Sequence, residues 1–330
     1  MTRTLAVVLL SLAFVAACGG ATRAPAPSAT VGPASPAAST ATAPPQAGGC
    51  SPARPHASGT SENTIAPAGV ERSYLLEVPP GYTGSEALPL VLNFHGFGST
   101  AAEQAAYSAF PAKGAAEGFI VVTPQGSGER AYWNSFKVAA LPDDVAFAAQ
   151  LLDQVESELC VDTRRVFSTG ISNGASMSVR LACDLAERIA AIGGVAGVFF
   201  PANCAPSRPV PVLSFHGTAD AIVPYGGGPI NAGLSQILRL SAPPVEDAVR
   251  QWAEHNGCGL TPAEEQASEH VRHIVYSGCE AGASVEFYAI DGGGHTWPGA
   301  AIDVPVLGPT TREISATGLI WDFFAAHPLP

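Results

Sequence analysis

The eleven residues Arg165-Val166-Phe167-Ser168-Thr169-Gly170-Ile171-Ser172-Asn173-Gly174-Ala175 constrain this chain more tightly than any other stretch. Val166, Phe167 and their neighbours read as a short apolar strand, and Ala175-Ser176-Met177-Ser178-Val179 as the opening of a helix. Between them stand Gly170, Ser172 and Gly174, spaced G-x-S-x-G. A strand that becomes a helix in so few residues does so through a strained turn whose flanking positions lack a β-carbon. Such a turn lifts the Ser172 hydroxyl clear of the sheet edge. The helix behind it aims its first amide hydrogens at negative charge developing there. In a chain with 35 glycines, a Gly-rich turn carrying an ordinary serine writes the same five letters, so partners for Ser172 must be sought elsewhere.

Other apolar runs set the frame. Leu88–Phe94, Phe119–Pro124 and Val210–His216 are nearly unbroken apolar segments, as strands buried on both faces require. Arg72–Pro79 alternates, with Tyr74, Leu76 and Val78 on one side, and is expected as a half-exposed strand. Ile189–Phe200 supplies another strand and its turn; His270–Ser277 and Ser284–Ile290 are late strands. Helices are expected over Ala101–Glu117, from a cap at Asp143 or Asp144 to Glu158, and over Val245–Asn256. A closing helix over Glu313–Ala326 should pack through Ile314, Leu319, Ile320, Phe323 and Phe324. Ala131–Ser135 and the Gly/Pro-rich Tyr225–Pro244 are expected as loops. Strands alternating with helices imply an α/β architecture, a mostly parallel sheet with helices on both faces and its chemistry at the carboxyl ends of strands.

At 330 residues, 47% apolar and 13% charged, the chain has ample material for a core. A net charge of −12, with Lys113 and Lys137 the only lysines, leaves no basic stripe to neutralise phosphates and argues against nucleic acid as a partner. Residues 1–17 carry Arg3 and then the apolar run Leu5–Ala17, too short to span a bilayer comfortably, and read as an export signal. It ends Val15-Ala16-Ala17-Cys18, which resembles the lipobox of bacterial lipoproteins. That resemblance implies cleavage before Cys18, acylation of Cys18 and tethering to the outer face of the cell membrane, the chain's only expected link to a membrane. An ordinary cleaved signal with an incidental Cys18 is the alternative. Residues 18–49 are almost wholly Ala, Pro, Thr, Ser and Gly and read as a disordered tether, leaving one catalytic domain over 50–330. Six further cysteines, an even number in an exported chain, suggest three disulfides. None lies in a C-x-x-C pair, so neither a zinc knuckle nor a redox pair is supported. Of the many connectivities open to them, we favour Cys183–Cys204 and Cys258–Cys279, which close short loops, and Cys50–Cys160, which ties down the start of the domain. Buried free thiols are the alternative.

Ser172 needs a base, and the base needs an acid to orient it. A G-x-S-x-G strand–turn–helix is the nucleophile elbow of α/β-hydrolases, where the order along the chain is Ser, then Asp or Glu, then His. Asp220 stands just beyond the Val210–His216 strand, and His295 follows Asp291-Gly292-Gly293-Gly294 after a later one. His216 is a runner-up base, out of order. Asp143 and Asp144 precede the elbow, and Asp291 sits too near His295 in sequence to be its partner. His295 is therefore expected as the base and Asp220 as its acid. The backbone amides of Asn173 and of Phe97, in His95-Gly96-Phe97-Gly98, are expected to form the oxyanion hole, with His95 bracing that loop.

His95-Gly96, Trp133-Asn134, Asp143-Asp144-Val145, the Gly170–Gly174 elbow, His216-Gly217-Thr218-Ala219-Asp220 and Gly294-His295-Thr296-Trp297-Pro298-Gly299 occur in that order. Together they resemble the bacterial polyhydroxybutyrate-depolymerase-like esterases, a group similar to the feruloyl and acetylxylan esterases of carbohydrate esterase family one. The resemblance runs from Cys50 to the C-terminus. It implies an α/β-hydrolase fold, ester hydrolysis without metal or cofactor, and the triad Ser172, Asp220 and His295. Ala175 departs from the pattern, where relatives usually carry a second glycine, and a helix accepts it. Trp297 and Trp133 are expected to line the cleft with aromatic faces for an aryl ester or sugar ring, the alternative being that both pack the core. Candidate substrates are feruloyl or acetyl esters of plant polysaccharide and short hydroxyalkanoate oligomers. Without a separate polymer-binding segment, crystalline polymer is not expected. Two other readings compete. A non-catalytic surface lipoprotein using the same fold to bind should show a damaged triad position, and none is damaged. A serine peptidase would need some feature favouring amides, and none is seen.

Overall fold

The computed structural model describes residues 49–237 and 239–330; the expected export signal, Cys18 and the tether as far as residue 48 lie outside the described residues. In chain order the strands are β1 (Gly59–Ile65), β2 (Arg72–Val78), β3 (Leu88–Phe94), β4 (Ile120–Pro124), β5 (Val161–Ile171), β6 (Ile192–Val195), β7 (Val212–Gly217), β8 (Gly228–Pro229), β9 (Ser241–Ala242), β10 (Ala263–Ser268), β11 (Val271–Tyr276) and β12 (Val285–Ile290). β8 and β9 form their own small ladder. The other ten make one sheet, ordered β1-β2-β4-β3-β5-β6-β7-β12-β11-β10. From β4 across to β12 neighbouring strands are parallel, and the flanking strands on either side are antiparallel.

The unbroken apolar runs are explained by two cores, one on each face. Successive residues of a strand point to opposite sides. Leu90 and Leu92 enter one core and Val91 the other; Val122 and Val121, Val166 and Phe167, and Val212 and Leu213 divide likewise. Among the described residues there are seven α-helices: α1 (Ala101–Ser108), α2 (Phe110–Glu117), α3 (Asp144–Glu158), α4 (Asn173–Asp184), the short α5 (Gly233–Ile237), α6 (Val245–His255) and α7 (Ala316–Ala326). Helices α3, α4 and α6 supply Leu151, Met177 and Trp252 to the first core, while α2 and α7 supply Phe110, Ile320 and Phe324 to the second.

Three expectations need correction. The helix expected over Ala101–Glu117 is two helices, broken at Ala109, whose φ of 54° is left-handed. Pro111 forces the break, because it has no N–H for the Tyr107 carbonyl and its ring would collide with that carbonyl. The expected Tyr225–Pro244 loop carries the β8–β9 ladder and α5, while of the two caps offered for α3 Asp143 is the one used, accepting from the amides of Val145 and Ala146. The closing helix begins at Ala316, capped by Ser315, since Glu313 is bonded to His270 instead. Strands β1 and β10 were not foreseen. Both are mostly exposed edge strands without an apolar period. All three favoured disulfides are present: Cys50–Cys160, Cys183–Cys204 and Cys258–Cys279.

Candidate active site

Strand β5 passes directly into α4, and Ser172 at the junction has φ 57° and ψ −120°. A side chain in that region is uncommon and persists only where its surroundings enforce it. Here the Ser172 amide donates to the Val195 carbonyl of β6 at 2.8 Å, and its carbonyl accepts from the Ser176 amide at 3.0 Å. Phe94 lies opposite Gly170 in the β3–β5 register. A β-carbon on Gly170 would sit 2.5 Å from the Phe94 oxygen, and one on Gly174 2.2 Å from the same atom. The glycines of G-x-S-x-G thus let the end of β3 press against the elbow.

The acid and the imidazole come from adjacent parallel strands, β7 and β12, paired up to Gly217 opposite Ile290. Glycines again permit the approach, since a β-carbon on Gly217 would lie 2.1 Å from the Gly293 oxygen. The His295 amide donates to the Leu307 carbonyl at 2.7 Å and the Gly294 amide to Pro309 at 2.8 Å, which clamps the loop. His295 Nδ1 is then 2.7 Å from Asp220 Oδ2. Asp220 Oδ1 accepts from the amides of Ile222 and Val223, both at 2.8 Å. His216 lies buried behind the acid, its Nε2 2.8 Å from the Val223 oxygen and 3.3 Å from Asp220 Oδ2. It supports Asp220 and does not border the cleft of Ser172. Burial by itself raises the Asp220 pKa, but hydrogen bonds from His216 and His295 outweigh it and hold the carboxyl well below the usual carboxylate range. An ionised Asp220 fixes the proton of His295 on Nδ1 and leaves Nε2 with its lone pair free. Asp291 bonds Thr218 and takes no part in this pair. Ser172 and His295 border one cleft; among the described residues Ser172 Oγ has no hydrogen-bond partner.

The loop after β3 is held from below. His95 is fully buried, its Nδ1 2.7 Å from the Gly96 oxygen, and its Nε2 accepts from the Gly126 amide at 2.9 Å. Burial lowers its pKa to about 4, so it is neutral near pH 7. Trp133 Nε1 donates to the His95 carbonyl at 2.8 Å. The Asn173 side chain accepts from the Trp133 amide at 2.7 Å and donates to the Trp133 carbonyl at 2.9 Å. Trp133 therefore ties the segment carrying the Phe97 amide to the residue carrying the Asn173 amide. Beside it the Asn134 amide donates to Asp144 Oδ2 at 2.7 Å, and Asp144 Oδ1 pairs with Arg72 at 2.9 Å.

Of the two tryptophans expected to line the cleft, Trp133 borders the compartment at Ser172 and Trp297 does not. Trp297 is 1% exposed, packs edge-on against Phe110, and donates from Nε1 to Thr317 Oγ1 at 2.9 Å. Its large apolar ring and single donor are both satisfied in the core. Trp133 is also buried, with only a border on the site. The aliphatic part of the cleft wall, Ile222, Ile302, Val304, Val306 and Leu307, comes from segments that carry no sequence signal, and Ser99, Glu103, Gln104 and Tyr107 line the cleft as well. Two compartments meet at Ser172, a cleft of about 580 Å³ that His295 also borders and a slot of about 30 Å³ that Asn173 also borders. Phe97 and Ala232 stand between them, touching both.

In sequence and fold the chain is similar to known esterases. Residues 72–242 match the family model described as esterase PHB depolymerase. Feruloyl esterase B of Piromyces equi is 30% identical over 236 residues, 68% of this chain; the chain spans only 42% of that relative's length. Feruloyl esterase D of Neurospora crassa is 27% identical over 270 residues, covering 78% of this chain and 82% of the relative. Among solved structures, acetyl xylan esterase from Aspergillus awamori superposes with a TM-score of 0.54 at 18% identity, over 72% of this chain and 94% of that one. The shared fold is that of the α/β-hydrolases. With its family model matched across more than half of its length, the chain belongs to the PHB depolymerase esterases.

Proposed function

We propose that this protein is an exported serine carboxylic-ester hydrolase working through an acyl-enzyme intermediate. The observation that carries the reading is the 2.7 Å His295–Asp220 pair opening onto the same cleft as a serine held at φ 57°. As Ser172 Oγ attacks the ester carbonyl, His295 Nε2 takes its proton. Oγ and Nε2 draw together once substrate is bound. The carbonyl oxygen becomes an oxyanion and accepts from the amides of Phe97 and Asn173. Collapse breaks the bond to the alkoxy oxygen, which leaves with the proton from Nε2. Water then repeats the sequence on the acyl-serine, releasing the carboxylic acid and restoring Ser172. Asp220 stays ionised throughout and stabilises the imidazolium.

Three disulfides favour an oxidising compartment and so support export. The lipid anchor at Cys18 rests on the lipobox resemblance; palmitate labelling that persisted in Cys18→Ala would reject it. Feruloyl or acetyl esters and hydroxyalkanoate oligomers are the substrate classes the resemblance offers. The test of mechanism is turnover of 4-nitrophenyl acetate. Ser172→Ala and His295→Ala should each lose about 10³-fold or more in kcat. Wild-type rates in Ser172→Ala would reject the mechanism.

A further inference from the structure

We infer that the substrate is divided unevenly at Ser172, with a short acyl group in the slot and a bulky, largely apolar alcohol in the cleft. The inference rests on the acyl-enzyme reading above and deepens it by naming the kind of ester.

The first step is direction. Once Ser172 Oγ bonds the carbonyl carbon and the oxyanion faces the Phe97 and Asn173 amides, two substituents remain to be placed. One of them, the alkoxy oxygen, must receive a proton from His295 Nε2 and so lies on the imidazole side. His295 borders the cleft and not the slot; Asn173 borders the slot and not the cleft. The alcohol therefore runs into the cleft, and the acyl chain runs the other way, past Asn173.

The second step is size. The slot holds about 30 Å³, walled by Phe136, Phe199 and Ile230. At roughly 10–15 Å³ per water on this measure, that is room for two or three waters. An acetyl group fits. A six-carbon chain or a feruloyl ring requires the walls to move. The cleft holds about 580 Å³, ample for the larger part of a small ester.

The third step is chemistry. The cleft is lined by Ile222, Ile302, Val304, Val306 and Leu307, with Ser99, Glu103, Gln104 and Tyr107 the polar groups on its border. Val306 is 83% exposed and Ile302 48% exposed, so this rim holds apolar surface in water. An apolar alcohol lying there removes that surface from water, and a sugar does so poorly. The geometry thus favours short-chain esters of apolar alcohols over ferulate esters, whose bulk lies on the acyl side.

Hexyl acetate and ethyl hexanoate test the division cleanly, because they are isomers with unactivated leaving groups and differ only in which side is long. Wild-type enzyme should show kcat/KM for hexyl acetate at least about tenfold above that for ethyl hexanoate, since a single methylene misplaced against a rigid pocket is worth that much. Phe136→Ala, which opens the slot, should raise the hexanoate-to-acetate ratio at least about fivefold, and Val306→Asp should lower the rate ratio of hexyl acetate to ethyl acetate. Equal or reversed preference for the two isomers, with hydrolysis abolished in Ser172→Ala, would overturn the division and leave the mechanism standing. No hydrolysis of either isomer by an enzyme that turns over 4-nitrophenyl acetate would likewise overturn the division alone, and hydrolysis that survives Ser172→Ala would overturn both.

Discussion

Acidification should weaken this protein well before its carboxylates protonate, through one imidazole. His95 has a pKa of about 4 in the folded chain, against an ordinary value of about 6.5. Burial lowers it, because a charged imidazole there would be stripped of water, and Nε2 in its neutral form accepts from the Gly126 amide. Between those two pH values the unfolded chain holds a proton on this imidazole and the folded chain does not. Unfolding therefore takes up a proton, and stability rises with pH across the window. It is complete above about pH 6.5 and is lost as pH falls toward 4. The separation is about 2.5 pH units, or roughly 3 kcal/mol in full and about 2.5 kcal/mol by pH 4.5. His270 and His273 work in the opposite sense, since their partner glutamates raise their pKa values; both must be cancelled by comparison. The comparison is His95→Gln, which cannot titrate. Urea unfolding followed by tryptophan fluorescence at pH 7 and 4.5 gives the two stabilities. The wild type should lose about 2.5 kcal/mol more than the variant over that interval. The variant should start lower at pH 7, having lost a fitted brace. An identical pH loss in both proteins would refute the assignment of a neutral, load-carrying His95.

Four other variants carry expected outcomes. Asp220→Asn should lower kcat on 4-nitrophenyl acetate by about 10³–10⁴ with KM little changed, because the imidazole loses its anionic partner; a loss under tenfold would exclude Asp220 as the acid. The depressed pKa of Asp220 gives stability that is present above the ordinary carboxylate range and falls away below it, so acid unfolding of Asp220→Asn should be less steep there. Asn173→Ala keeps its own backbone amide but leaves the Trp133 N–H and C=O without partners, at a cost of about 2–4 kcal/mol and with a lower kcat; an unchanged Tm would mean the clamp contributes nothing. Removing the Cys183–Cys204 bridge by double serine substitution should cost about 3 kcal/mol in denaturant unfolding, from its sequence separation of 21, and should leave activity of the folded fraction intact. Trp297→Phe should lower stability without moving KM, and a raised KM would return that side chain to the cleft.

The parts of the molecule legible in advance are those set by backbone. Ser172, Asp220 and His295 could be read because each follows a recognisable buried strand and because glycines mark where one main chain must press on another. Gly170 and Gly174 against Phe94, and Gly217 against Gly293, are those contacts. Edge strands β1 and β10 could not be read, since a solvated strand is held by its neighbour's hydrogen bonds and carries no apolar period. Trp297 misled for a related reason. Its position two residues beyond His295 suggested the cleft, but its partners Phe110 and Thr317 are remote in sequence and decide where the ring goes.

The division between legible and illegible parts has a chemical consequence. The proposed oxyanion donors, nucleophile and imidazole are positioned by strand ends and by the His95–Trp133–Asn173 hydrogen bonds, so a change at any of these should touch activity and stability together. The residues proposed to bound the substrate, Phe136, Ile230, Ile302 and Val306, lie outside both cores. Val306 precedes Leu307, whose backbone carbonyl holds the His295 amide. Because that clamp is main chain, side chains along this rim can change without moving the imidazole. Substitutions at Val306 and Ile302 should therefore alter which alcohols are accepted, while rates on ethyl acetate, whose alcohol is too short to reach the rim, stay within about threefold per position. Equal losses on every ester, small and large, would show instead that the rim and the triad are one mechanical unit.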